Sequence, residues 1–171
     1  MTNSNNLIDS LEVYVLNNPD DVKPHWVSHF IVPTANELLI KIKNKNGNSG
    51  FGLATSYSDI SPIIKPFSNG LEDFIIGKDP FCPEKIYESI SKLTDTRISS
   101  EKGWSKEALI RISAALDIAC WDLMGKSSNI PLYKLFGGYR NKIPVYVTCG
   151  YYRDGKTETE LREELKKLIE I

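Results

Sequence analysis

Residues 103–138 read GWSKEALIRISAALDIACWDLMGKSSNIPLYKLFGG. Apolar residues recur at Ala108, Leu109, Ile112, Ala115, Leu116, Ala119, Cys120, Leu123 and Met124. These are the i, i+3, i+4, i+7 steps of a helix buried along one stripe. Trp104 and Trp121 widen the stripe, so the spacing predicts a helix of about 20 residues, nearly wrapped by other elements. Ser113, Ala114, Ala115 and Ala119 are small enough to let neighbouring backbones come close. Ser99 or Ser100 offers the N-cap and Gly125 marks the end. Asn129, just before Ile130-Pro131, stands where a left-handed turn residue is expected.

The elements before this helix read as strands first and helices after. Residues 7–16 partly alternate and carry β-branched Ile8, Val13 and Val15, which predicts a strand. Residues 17–33 break the pattern with three prolines. The run ELLIKIK at 37–43 alternates as a half-buried strand, Asn46-Gly47 signals a hairpin, and the strand returns over 49–56. A three-stranded antiparallel meander with one long excursion follows. A short helix is expected over 60–67, and another over 83–93 with Pro83 in its first turn and Ile86, Ile90 and Leu93 on one face. The fold class is therefore α+β, a meander followed by a helical bundle.

After Gly138 the pattern changes. The run KIPVYVT at 142–148 is of the kind that forms a strand buried on both faces. The chain leaves it through Cys149-Gly150-Tyr151-Tyr152. A helix is expected over 157–171, with Leu161, Leu165, Leu168 and Ile169 as its stripe and Thr157 with Glu160 as a capping box.

Composition narrows the function classes. Of 171 residues, 41% are hydrophobic and 25% charged, which describes a globular chain. A net charge of −1 with interspersed signs leaves no footprint for nucleic acid and no polybasic membrane patch. No apolar run approaches the roughly 18 residues of a membrane span. The opening MTNSNNLIDS has no secretory pattern. Cys82, Cys120 and Cys149 are far apart and form no zinc spacing, so free thiols in a reducing cytoplasm are expected.

Residues 113–126, SAALDIACWDLMGK, followed by PLYKLFGG at 131–138, resemble a signature of the enolase superfamily, in its mandelate racemase and muconate lactonizing enzyme branch. The turn Ile75-Ile76-Gly77-Lys78-Asp79-Pro80 resembles the same family. The resemblance implies an N-terminal capping domain over 1–138 and, over 139–171, the first strand and helix of a (β/α) barrel. A whole barrel needs about 250 residues. In the family, a base lysine and three acidic magnesium ligands lie on later barrel strands. The resemblance thus implies a magnesium-dependent parent enzyme acting next to the carboxylate of a small carboxylate or acid-sugar substrate, as a dehydratase or racemase. It implies no catalytic residue and no metal ligand in this chain, which alone should be inactive. The run over 145–152 with Gly155-Lys156 looks closer to dehydratase-like members than to the lactonizing ones.

Two capping loops supply specificity and exclude water in the family. They fall at 17–33 and 55–59, which makes Lys23, His25, Trp26, His29, Thr55 and Tyr57 the candidates for facing substrate. Thr148, Cys149 and Tyr151 are candidates at the barrel-strand end, where catalytic groups gather, although packing explains them as well. His25 and His29 lack a third metal ligand and read as loop residues. Asp117 and Asp122, five apart, do not share a helix face and read as structural bonds to a neighbouring strand or helix end. Gly50-Phe51-Gly52 looks like half of a phosphate loop but lies in a strand. A second possibility is a complete, non-catalytic α+β module binding a partner subunit or small molecule. An apolar run at 142–148 would then be covered by a homo-oligomer or by docking onto a separate barrel.

Overall fold

The computed structural model describes residues 4–17, 24–26, 29–32, 36–56 and 59–170. Its sheet is the expected meander. Strands β1 (Ile8–Leu16), β4 (Asn36–Asn44) and β5 (Ser49–Ser56) pair antiparallel in the order β1-β4-β5. The alternation of residues 37–43 sets the register, with Val13 opposite Ile40 and Ile40 opposite Gly52. Leu38, Ile40 and Ile42 therefore share one fully buried face, while Lys41 takes the other and pairs with Glu12 at 2.9 Å. The start of β1 is held by the Gly-Lys turn: the Ile8 N–H donates to the Lys78 carbonyl and the Gly77 N–H to the Ile8 carbonyl.

The excursion between β1 and β4 is not wholly irregular. It contains a hairpin of β2 (His25–Trp26) and β3 (Ile31–Val32). Two-residue strands are too short for periodicity to reveal. Helices α1 (Ser61–Ser68) and α2 (Pro83–Ser91) lie as expected, the latter with Pro83 in its first turn and Ile86 and Ile90 buried. A 3₁₀ turn at Lys92–Asp95 then buries Leu93.

The long helix starts later than its apolar spacing suggests. Residues Arg97–Lys102 form a separate short helix, α3, capped by Thr96 and ended by Gly103 in the left-handed region at φ 64°. Only then does α4 (Lys106–Ser128) begin, with the Ser105 side chain accepting from the Ala108 N–H. Ser99 and Ser100 thus lie inside α3, and Trp104 is buried outside the long helix. The far end also differs: Gly125 lies within α4, which runs to Ser128 and stops at Asn129, left-handed as expected at φ 52°.

α4 lies against the inner face of the sheet and against α2. Its small residues allow an unusually close approach. A Cβ placed on Gly52 would sit 1.9 Å from the Ala115 carbonyl oxygen, and one on Gly50 1.9 Å from that of Ala119. The two glycines of β5 are therefore the sheet's half of the contact that Ala115 and Ala119 make on the helix. Leu109, Ile112, Leu116 and Leu123 fill the rest, each fully buried. The helix is not wrapped all round, because Ile110 and Ile118 are about half exposed on its outer side. Trp121 is only half-buried and stacks on Phe136 at 4.7 Å. Asp122 has the structural role expected of it. It accepts the Phe51 N–H at 2.9 Å and pairs with Lys126, while Arg111 donates to the Thr55 carbonyl. Together these two side chains cover the free edge of β5.

Beyond α4, helix α5 (Leu132–Leu135) leads to Gly137-Gly138. The run at 142–148 is not a strand; it carries no regular secondary structure and has no ladder partner among the described residues. Val145 and Tyr146 are 85% and 92% exposed. Burial on both faces requires neighbouring strands on both edges, and among the described residues none pairs with it. Helix α6 (Glu158–Ile169) carries the expected capping box of Thr157 and Glu160. Its apolar stripe has no opposing layer: Leu165 is partly exposed and Ile169 is 84% exposed.

Candidate functional site

The β2–β3 hairpin is brought to the chain that follows the 142–148 run. The Trp26 N–H donates to the Tyr152 carbonyl at 2.9 Å, and the Tyr152 N–H donates back to the Trp26 carbonyl at 3.2 Å. In an antiparallel pair both backbone groups of a residue point to the same side. Trp26 therefore spends them on Tyr152, away from β3. Beside this bridge the rings of His25 and Tyr151 meet at 4.7 Å with a 54° tilt. An imidazole able to donate or accept and a phenol are thus gathered at one place, half in solvent.

The loop carrying Tyr151 and Tyr152 is held from behind by α6. Glu164 Oε1 accepts the Gly150 N–H at 3.1 Å, and Oε2 pairs with Lys156. Lys156 Nζ in turn donates to the Tyr151 carbonyl at 3.1 Å. The Lys156 ammonium, followed by the Gly150 N–H, holds the Glu164 carboxyl below its ordinary range. Lys156 is the most enclosed charge of the set, its side chain only 10% exposed.

The candidates divide between several places. His25 and Tyr151 meet at their rings, and Trp26 joins the next residue, Tyr152, through its backbone. His29 is exposed in the hairpin turn, next to exposed Phe30 and Ile31. Thr55 lies at the end of β5. No described hydrogen bond or ring contact joins it to the His25–Tyr151 pair. Thr148 and Cys149 line a groove of about 480 Å³ against α6, with Lys156, Glu164 and Lys167, rather than meeting the hairpin. Lys23 and Tyr57 lie outside the described residues. Glu164 was not singled out in the sequence. It stands at the helical spacing of the stripe, three residues after Leu161 and four before Leu168, and its partners Gly150 and Lys156 lie outside its helix, so no local pattern points to its role.

Elsewhere, burial pushes the Cys120 thiol up to about 12, with Asp117 and Asp79 adding to the effect. Asp117 is itself raised, by desolvation first and by Glu84 second. Among the described residues no three His, Cys, Asp or Glu side chains converge to hold a metal ion. These residues do not fit a divalent cation. No helix among them is long and apolar enough to cross a membrane.

A small antiparallel sheet covered by a long helix defines an α+β fold, and comparison with known proteins gives its family. Residues 10–137 match the family described as mandelate racemase / muconate lactonizing enzyme, N-terminal domain. The chain belongs to this family, within the enolase superfamily. It is 30% identical over 127 residues to an arabinonate dehydratase of Saccharolobus solfataricus, covering 74% of this chain and 32% of that protein. It is 29% identical over 127 residues to a hydrophobic dipeptide epimerase of Enterococcus faecalis, covering 70% of this chain and 31% of that protein. The matched part is thus about a third of these relatives' length. A racemase from Streptomyces coelicolor with bound magnesium has the same fold, with a TM-score of 0.75 at 24% identity over 96% of this chain and 44% of its own.

Proposed function

We propose that this chain is the capping portion of an enolase-superfamily enzyme whose reaction begins with proton abstraction next to a carboxylate. The observation that carries this is the double hydrogen bond between Trp26 and Tyr152. It seats the hairpin on the loop after the 142–148 run, and in a (β/α) barrel substrates bind at that end of the strands. A lid docked there excludes water and contacts the substrate. Lys23, His25, Trp26, His29, Thr55 and Tyr57 are the proposed lid residues, with Thr148, Cys149 and Tyr151 on the barrel side. His25 and Tyr151 are the pair best placed to orient a polar substrate. The proposed substrate is a small carboxylate or acid sugar, in keeping with the arabinonate dehydratase relative. Magnesium is the ion of the proposed parent enzyme, held by barrel residues and not by these.

The proposed boundary falls near residue 138. No described residue beyond Gly125 is buried, which supports a core completed before the barrel part begins. The free state of Cys82, Cys120 and Cys149 supports a cytoplasmic setting. That complete core equally supports a second possibility, a binding module that docks to a partner or to its own copies through the exposed 142–148 run. One experiment separates the two. The native polypeptide carrying this sequence is isolated with magnesium, its mass and associated subunits are determined, and acid sugars are screened for conversion to keto acids. Turnover by a species containing a barrel of about 250 residues supports the capping role. An inactive species without any barrel supports the module, and turnover by these 171 residues alone refutes both.

A further inference from the structure

We infer that Glu164, acting with Lys156, is a positioning residue for the lid. It fixes the 150–152 loop from behind, and that loop fixes the hairpin. The chain of contacts is continuous. Glu164 accepts the Gly150 N–H at 3.1 Å and pairs with Lys156; Lys156 donates to the Tyr151 carbonyl at 3.1 Å; the next residue, Tyr152, makes both backbone bonds to Trp26. Each carboxylate oxygen has its own partner, so Glu164 holds the loop directly at Gly150 and, through Lys156, at Tyr151. The bonds involving charged groups are the stronger kind. Among the described hydrogen bonds no other α6 side chain reaches the loop, although Leu161 lies beside Gly150. Arg162 pairs with Glu158 on the exposed surface, and Glu160 is occupied by the Thr157 cap.

Among the described residues the hairpin has little else to hold it beyond the ring contact of His25 with Tyr151. Its strands are two residues each, too few to be stable alone. Phe30 and Ile31 are 60% and 65% exposed, so its tip contributes little packing. Its position therefore follows the loop, and the loop follows Glu164. What the hairpin covers rests on the capping role proposed above; the tether does not.

Amide hydrogen exchange on the 171-residue chain tests this directly, because the Trp26 N–H is protected by the Tyr152 carbonyl and not by β3. Glu164→Ala removes both bonds and is expected to speed exchange at Gly150, Tyr152 and Trp26 by about tenfold or more. Glu164→Gln keeps an acceptor for Gly150 but not the ion pair, and is expected to give a partial restoration. Arg162→Ala on the same helix is expected to change none of the three. Exchange in α4 serves as the reference for folding: it is expected to stay at the parent rate in every variant. If Glu164→Ala perturbs α4 as well, Lys156→Met, which leaves the Gly150 bond, decides by the same Trp26 readout. Unchanged Trp26 exchange in whichever of the two retains the parent α4 rate overturns the inference. Because no substrate enters this measurement, its outcome is independent of the turnover screen that tests the capping role.

Discussion

Gly52→Ala is the substitution that most directly examines how the two layers meet. The added Cβ would lie 1.9 Å from the Ala115 carbonyl oxygen, 2.8 Å from its carbonyl carbon and 3.1 Å from the Ala119 nitrogen. All three are backbone atoms, so no rotamer change relieves the clash. Ordinary contact begins near 3.4 Å, which means that α4 and β5 must separate by roughly 1.5 Å. α4 is also packed on α2, so it cannot simply slide away. Overpacking a core costs about 1–3 kcal/mol and sometimes more. With rigid backbone on the receiving side, about 3 kcal/mol is expected here, after allowing for the up to about 1 kcal/mol that alanine gains in the unfolded chain. Against a total of about 5–15 kcal/mol this is a large fraction. Urea unfolding followed by circular dichroism measures it, with Gly47→Ala as the contrast. Gly47 has nothing within 4 Å of its would-be Cβ but a φ of +86°, so alanine there costs about 1–2 kcal/mol through conformation alone. A Gly52→Ala protein within about 0.5 kcal/mol of the parent, or less affected than Gly47→Ala, would refute the close-approach reasoning.

Two further predictions concern titrating groups. The Cys120 thiol, raised to about 12 by burial, stays protonated and unreactive at pH 8, so iodoacetamide is expected to modify Cys82 and Cys149 in the folded chain and Cys120 only in denaturant. Intact mass counts the additions, and a third one under native conditions would sink the prediction. Asp117 has its carboxyl raised in the folded state by desolvation and by Glu84. Its charge therefore disfavours folding above its folded pKa, and the penalty fades as pH falls through that value. Asp117→Asn is expected to raise the melting temperature modestly at pH 7 and by less at acidic pH; a lower melting temperature at pH 7 would contradict it.

Much of this architecture was legible in local pattern because its signals are local. The alternation at 37–43 forces the register of the sheet, since a one-residue slip would turn Leu38, Ile40 and Ile42 to solvent. Asn129 and the Thr157–Glu160 box act within a few residues of themselves and were readable for that reason. The start of α4 was misplaced because apolar periodicity continues through a break that one left-handed glycine, Gly103, imposes. Of the site, the sequence indicated the loops but not how they meet. The Trp26–Tyr152 bridge joins residues far apart in the chain, and backbone bonds leave no mark on side-chain identity. Glu164 was invisible for a related reason: on a charged helix surface, a carboxylate that clamps a loop looks like one that is merely solvated.

The run at 142–148 shows where such inference stops. Its residues have the composition of a strand buried on both faces, yet here they are exposed and, among the described residues, unpaired. The sequence signal is the same in both situations because it records what the side chains require, not whether their neighbours are present. A β-strand differs in this from a helix. α6 closes its own hydrogen bonds and forms with its stripe uncovered, whereas a strand borrows every ladder bond from another segment. The exposed Val145 and Tyr146 therefore state a requirement for flanking strands that the described residues do not meet. The hairpin that reaches Tyr152 stands at the end of that same run. A segment paired with 142–148 would run beside the residues that lead into Tyr151 and Tyr152, so covering that run would also add neighbours to the loop on which the hairpin rests.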